Sequence, residues 1–568
     1  MSASDQPIPD ETPASSLVSR RKVLGGLAVG TAALGVPTVA AAQAPPRRRG
    51  GRGRGPDGPD GRRGEGRGDG RGDANALGQG GGNPVDDEVL GALQTAGPDQ
   101  FSRLFPRAAF REVDDELRVQ MAALGAPGGL IDAKDALDEG PIRLITEPEL
   151  SLNNPNNTTH TAGTTFVGQF LDHDITSDGG SRLGQPTPVQ RSVNLRSARF
   201  DLDSVYGGGP AVSRELYTDD DPFRFRIGDG GQFEDLPRNA DGSAIIADPR
   251  NDENLIIAGI QVAMLKFHNA VLERVRSSGL TGEMAYREAQ RLVIWHWQWL
   301  IVHQFLPQFV GQTMVDDILG NGRRFYTPSR AQIPVEFQTS AYRFGHSMIR
   351  PSYRANMAGD QGEPFFGMVF DPSQFGAADP DDMSGGVRAP RRFIGWQTFF
   401  DFDDGEVKPN KKIDTHISTP LFQLPMGAIA TSRGEPIGPL SLPTRNLLRH
   451  ITWQIASGED VAAAMGEERL ALADLADIAA VAPLLEGRTP LWLYVLREAD
   501  LMAGGDHLGP VGGRIVAEVF LGLLSMDPSS YFRVPDWRPT LPSVAGAGNY
   551  RMVDLLTMAG VDPASRGQ

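Results

Sequence analysis

The chain has 568 residues, 55 Lys plus Arg against 71 Asp plus Glu, a formal charge of −16 and no cysteine. The charge disfavours nucleic acid as the main partner, because phosphate backbones bind cationic surface. The missing thiol excludes disulfides, thiolate-held zinc, iron–sulfur clusters, thiolate or C-x-x-C-H haem attachment and a cysteine nucleophile, so any metal or cofactor must be held by His, carboxylate, amide or backbone oxygen.

Ser19-Arg20-Arg21-Lys22-Val23-Leu24 forms a twin-arginine pattern, followed by a weakly apolar Gly/Ala run to about Val39 and the small residues Ala40, Ala41, Ala42 and Ala44. Residues 1–44 are therefore expected to be a cleaved twin-arginine export signal, which places the mature protein in a periplasm or outside the cell. Pro37 and the glycines make this run a poor anchor, and no later stretch is expected to span a bilayer. Residues 45–86 are Gly, Arg, Asp and Pro with almost nothing to bury and read as a disordered linker. Its two Arg-Gly-Asp triplets arise by chance in such a repeat. Residues 87–563 then read as one catalytic domain, with 564–568 a flexible C-terminus.

Within that domain, Leu255, Ile256, Ile260, Met264, Leu265 and Val271 recur at three- and four-residue steps, as do Leu292, Trp295, Trp299 and Val302. Further helices are expected over 461–464, 470–485, 491–501 and 515–524. Long Pro/Gly/Asp segments, 219–249 and 358–392, separate them, and strand-like alternation is scarce. The expected class is mainly α, with long ordered loops and little β, a shape that tends to enclose a cofactor.

The densest chemical signal is the run Thr164–Asp174, Thr-Thr-Phe-Val-Gly-Gln-Phe-Leu-Asp-His-Asp. As a helix it places Gln169 and His173, four apart, on one face, while Asp172 and Asp174 turn away from His173 by roughly 100° each. A solvated acidic turn with a structural histidine is the plain alternative. A second cluster runs from Arg196 to Tyr206. On an extended loop its positions 197, 199, 201 and 203 point one way, giving a hydroxyl, a carbonyl and two carboxylates suited to calcium, with Asp174 able to complete the set. The ligand order is not that of an EF-hand, and a solvated acidic turn is again the plain alternative.

Taken in order, the segments GQFLDHD, SARFDLDSVYG, PRNDEN, YRFGHSMIRP and SLPTRNLLRH resemble the animal-type haem peroxidase family, the peroxidase–cyclooxygenase superfamily, in a bacterial branch. The stretch from Thr489 to Arg514 adds to the likeness, which covers most of residues 100–543. The resemblance implies a large single-domain peroxidase fold, haem b and calcium. It makes His173 the distal histidine that moves the peroxide proton, Arg250 the distal cation beside it, and Gln169 a distal amide. His346 becomes the proximal iron ligand and Asn446 the amide that orients it. Arg343 and Arg449 fall near the haem propionates or the proximal side. Asp172 and Glu253 match carboxylates that ester-link to haem methyl groups. Asp174, Ser197, Arg199 through its carbonyl, Asp201 and Asp203 match the calcium ligands.

The implied activity is reduction of hydrogen peroxide with oxidation of small aromatic donors, halide or thiocyanate. Two departures qualify it. Asn254 stands where strongly halide-oxidising members carry a haem-bonded methionine, which lowers the expectation of chloride oxidation. His450-Ile451-Thr452-Trp453 replaces the usual Arg-Asp-His-Gly beyond Arg449. A fatty-acid dioxygenase of the same superfamily is the second reading, opposed by the absence of any Tyr-x-x-His: position 343 is Arg, and Tyr342 lies four residues before His346. A calcium-stabilised adhesion protein without catalysis is the third. His296 and His303, seven apart on a Trp-rich helix, span about 10 Å and are expected to be core or cap residues. His268-Asn269 is expected to be a structural pair, and His160, His416, His450 and His507 lack a ligand partner at useful spacing.

Overall fold

The computed structural model describes residues 99–105, 113–189, 192–386, 388–425, 438–544 and 546–568. The expected export signal, the linker and residues 87–98 lie outside the described residues.

Seven helices matter here: α1 (Asp115–Leu124), α2 (Gly163–Ile175), α3 (Leu255–Ser277), α4 (Gly282–Leu300), α5 (Leu442–Trp453), α6 (Leu491–Ala503) and α7 (Pro510–Met526). Three of them, α1, α3 and α5, start at a capping side chain. The Asp114 carboxylate accepts from Leu117 N, the Asn254 side chain accepts from Ile256 N and Ile257 N, and Ser441 Oγ accepts from Thr444 N. Each satisfies an amide that the first turn leaves without a partner.

Helix α3 forms the centre of the core, with its Leu, Ile, Val and Met side chains buried and α2 and α4 packed along it. Each fully buried side chain of this kind contributes about 1.5–3 kcal/mol. By composition α3 could cross a bilayer: its best 18-residue window has a mean hydropathy of 1.6. This corrects the expectation that no later stretch was apolar enough, and the reason for the apolarity is packing, since 83% of that window is buried inside the protein.

Two other expectations change. The 470–485 helix is broken into short turns over Leu472–Leu475, Ala476–Val481 and Pro483–Leu485, because Pro483 ends the run and a proline cannot sit inside a helix without losing a backbone bond. The C-terminus is docked: Pro563–Arg566 forms a helical turn, and Arg566 pairs with Glu234 and donates to Ile394 O at 2.7 Å. Among the described residues β structure is confined to short antiparallel pairs, including Asn156–Thr161 with Pro409–Lys411 and Ser352–Arg354 with Phe366–Met368.

Candidate functional site

Helix α2 is seated by a close approach that only glycine permits: a Cβ at Gly163 would lie 2.4 Å from the Phe400 ring. From there it carries Gln169 and His173 along one face, as their spacing requires. His173 is 4% exposed, and its Nδ1–H donates to Asn251 Oδ1 at 2.8 Å. The Asn251 amide nitrogen donates in turn to Gln261 Oε1 at 2.8 Å, which fixes the oxygen toward the imidazole. The Nε2 lone pair of His173 is thereby left free, with Glu253 Oε2 at 3.9 Å. Burial first, and then the Arg250 charge, push the His173 pKa down to about 4, so the ring is neutral near pH 7.

Arg250 sits beside it on the short turn Pro249–Asp252. Its guanidinium bonds both Asp248 oxygens, at 3.0 and 2.7 Å, and His173 O at 2.9 Å, while Nη1 makes no hydrogen bond among the described residues. Burial opposes ionisation of Asp248, but Arg250 and Arg196 outweigh it and hold that carboxylate below its usual range. Gln169 is clamped from both ends, donating to Glu253 Oε2 at 3.3 Å and accepting from Asn254 Nδ2 at 3.2 Å. Asn254, the residue at the departure from methionine, thus caps α3 and orients Gln169 together. Burial pushes Glu253 up to about 7, although 29% of its side chain remains free. Asp172 accepts from Thr176 Oγ1 at 2.9 Å.

The second histidine lies on the turn Ala341–Met348, packed against α2, α6 and α7. Tyr342 O–H donates to Gly168 O at 3.0 Å and stacks on Phe337, tying this turn to α2. His346 has its Nδ1 2.8 Å from the Asn446 amide on α5, and its Nε2 has no hydrogen-bond partner among the described residues. Burial, then Arg343 and Arg449, push its pKa down to about 3. A Cβ at the neighbouring Gly345 would meet nothing within 4 Å, so the chain leaves open space next to this histidine. Arg343 donates from Nε to Gln338 O at 3.0 Å, and burial followed by the Arg449 charge lowers it to about 9. Arg449 reaches Asp178 at 3.3 Å.

The acidic face of α2 leads elsewhere. Oxygens of Asp174, Asp201 and Asp203 all lie within 4.8 Å of one another. Ser197 Oγ donates to Asp201 at 2.8 Å, and Asp203 Oδ1 is buried without a hydrogen-bond partner. Burial, then Asp203 and Asp201, raise Asp174 well above a normal carboxylate, and burial raises Asp203 to about 7. The loop is a series of bends rather than extended: Leu202 has φ 58° and starts a helical turn at Asp203. Convergence therefore comes from that left-handed residue and not from strand alternation, which corrects the expected geometry. The Arg199 side chain is exposed, so its carbonyl is what it could offer.

Sequence reasoning missed Asp248, Asn251 and Asp178. The first two were legible as polar neighbours of Arg250 in one Asp-Pro-Arg-Asn run, whereas nothing local links Asp178 to Arg449. His268 and His296 are held in structural hydrogen bonds. His268 bonds Tyr206 O–H at 3.0 Å and Phe223 O at 3.1 Å, and His296 bonds Leu292 O and the amides of Thr540 and Leu541.

Comparison with known proteins agrees with this arrangement. The family model for the animal haem peroxidase matches residues 181–385, which include the acidic loop, Arg250, Glu253, Arg343 and His346. A peroxidasin homologue of Caenorhabditis elegans is 24% identical over 184 residues, 29% of this chain and 14% of the worm protein, and a dual oxidase of Drosophila melanogaster is 32% identical over 109 residues, 19% of this chain and 7% of that protein. The chain thus matches a small part of these longer relatives. Peroxidase A of Dictyostelium discoideum shares the fold, with a TM-score of 0.54 at 15% identity, over 81% of this chain and 93% of that one. Residues 181–385 therefore match the animal haem peroxidase family, and the chain shares the fold of a peroxidase.

Proposed function

We propose that this protein is an exported haem peroxidase that reduces hydrogen peroxide and oxidises small aromatic donors, halide or thiocyanate. The observation that carries the reading is a pair of neutral histidines on neighbouring elements, each with Nδ1 2.8 Å from an asparagine amide and with Nε2 making no hydrogen bond among the described residues. The residues present fit haem b. His346 would ligate the iron, and Asn446, whose Nδ2 lies 2.8 Å from Nδ1 while its Oδ1 is buried without a partner, would with its amide turned over accept from Nδ1–H and orient the ring. Arg343 and Arg449 would face the propionates, and Asp172 and Glu253 would stand at ester-forming positions. Bound haem supplies the metal at which peroxide oxygen is reduced and from which donors are oxidised.

The chain's own residues do the proton work. His173 Nε2 takes the proton from the near peroxide oxygen and returns it to the leaving oxygen. Arg250 offers Nη1 where negative charge develops and cannot itself lose a proton. Gln169, held at both ends, presents a fixed amide to water or a small anion. Calcium would bind Asp174, Ser197, the Arg199 carbonyl, Asp201 and Asp203, tying the loop to α2 one residue beyond His173. The twin-arginine pattern supports export to a periplasm or beyond.

Tyr342 counts against the fatty-acid dioxygenase reading: its hydroxyl is engaged by Gly168 O and its ring is packed between Phe337 and Phe520. The intact His173, Arg250 and His346 count against a non-catalytic adhesion protein.

The test is an absorption spectrum of the exported protein before and after acid–organic extraction, then with peroxide. A Soret band that changes with peroxide is expected, and one that resists extraction would support the Asp172 and Glu253 esters. His173→Ala should keep the band and lower turnover by about 10²–10⁴-fold. His346→Ala should lose both. Unchanged turnover in His173→Ala, or no Soret band in haem-replete cells, would sink the proposal.

A further inference from the structure

Away from the two histidines the protein holds a hollow of about 410 Å³ that shares no residue with the site described above. That volume falls within the roughly 300–1,000 Å³ of small-molecule sites. Its walls are apolar, formed by Leu144, Ile145, Pro351, Tyr353 and Phe399, and Leu152, 79% exposed, stands at its lip. The Tyr353 and Phe399 rings stack at 6.0 Å and 26°, and Phe166 of α2 packs edge-on against both. The hollow therefore backs onto the helix that carries Gln169 and His173 without opening onto their face.

Three cations line it and no carboxylate does. Arg354 is answered by Glu406 at 2.7 Å. Lys408 makes no ion pair among the described residues. Arg350 donates to neutral acceptors alone: Asn154 O at 3.1 Å, Asn156 Oδ1 at 2.6 Å, Asn410 O at 3.0 Å and Pro409 O at 3.3 Å. Its Nη1 makes one of these bonds and has a second N–H to offer. A half-buried guanidinium without a counter-charge is costly, and burial lowers its pKa. A ligand with a flat apolar body and one anionic end would satisfy both features of the hollow, through ring contact and a charge-assisted hydrogen bond.

We propose that this hollow is a second small-molecule site, which takes aromatic carboxylates with the ring against Tyr353 and Phe399 and the carboxylate at Arg350. The test is calorimetric titration of the holoenzyme with 2-naphthoate, in excess cyanide so that the haem side is closed, beside the neutral 2-naphthalenemethanol. Naphthoate should bind without moving the Soret band, about tenfold or more tighter than the alcohol. Arg350→Gln should remove that preference, weakening naphthoate by about tenfold and leaving the alcohol unchanged. Ile145→Trp, which fills the hollow and leaves Arg350 in place, should weaken both ligands and keeps the test decisive if Arg350→Gln folds poorly. Loss of binding in cyanide, equal affinity for the two ligands, or wild-type binding by Ile145→Trp would overturn the proposal. The two variants give the same readout in protein without haem, so failure of the peroxidase reading would remain distinguishable.

Discussion

The two histidine walls are built on opposite electrostatic plans. Around His173 the cation already has its answer within the protein: Arg250 is gripped by both Asp248 oxygens, Asp248 is shared with Arg196, and the neutral Gln169 is held between Glu253 and Asn254. On the other side Arg343 and Arg449 crowd His346; Asp178 pairs with Arg449, and the charge of Asp172, and less that of Asp178, offsets Arg343 in part. Burial and mutual repulsion lower Arg343 and His346 together. The first wall has its cation neutralised and its amide fixed by the protein's own side chains. The second is incomplete, and its excess positive charge calls for an anionic group between the walls. Haem propionates would supply that charge.

The contrast is sharpest at Arg250. Replacing it with Gln leaves the buried Asp248 with Arg196 as its remaining cation, and breaking a buried pair in this way typically costs about 3–5 kcal/mol. Denaturant unfolding of haem-free Arg250→Gln should show a loss of that size. A loss near zero would mean that the α2 side is not closed electrostatically, and the comparison would fail.

Metal removal should act on the α2 side through Asp174. Three carboxylates within 4.8 Å repel one another unless a cation joins them. A chelator should lower the thermal midpoint and calcium restore it, with stabilisation of about 2.7 kcal/mol at a hundredfold excess over Kd. Asp174→Asn should abolish the calcium dependence. A midpoint indifferent to both calcium and chelator would remove calcium from the account.

How much of this was readable beforehand divides along the same physical line. Four-residue spacing placed Gln169 and His173 on one face, and three- and four-residue steps placed α3, α4, α6 and α7, because burial of one stripe is a local pattern. The broken stretch 470–485 was misjudged because apolar Ala and Leu hide a helix end that Pro483 imposes. The acidic loop converged for a reason that sequence does not display, a left-handed Leu202. His346, Glu253, Arg343 and Arg449 gained roles only through family resemblance, since their partners lie far along the chain. Asn251 meets His173 across 78 residues, and no local rule announces such a contact.

That contact gives the next test. With Asn251→Leu the imidazole keeps its place but loses the acceptor that selects the Nδ1–H tautomer, so a smaller fraction presents a free Nε2. Turnover should fall about 10–100-fold, roughly 1.4–2.7 kcal/mol. The pH profile separates this from simple misfolding. The Asn251 bond favours the protonated ring and so raises its pKa. Removing it should move the acid limb of turnover, set by His173 near about 4, to lower pH while the plateau drops. A reduced plateau with an unmoved limb would make Asn251 merely structural.

The smallest expected effect has the most telling sign. Arg343 sits half-buried beside Arg449, makes no ion pair among the described residues and is held by the Gln338 carbonyl. Arg343→Gln can keep that hydrogen bond and removes the charge. If this side is electrostatically incomplete, the haem-free variant should be more stable than wild type by about 1 kcal/mol, since a half-buried charge repelled by its neighbour is lost. The haem-loaded variant should instead release haem faster, because a propionate partner is gone. A substitution that stabilises one form and weakens the other cannot be explained by packing, which would shift both the same way. Destabilisation of both forms would make Arg343 an ordinary structural cation, and the two walls would then differ in detail rather than in kind.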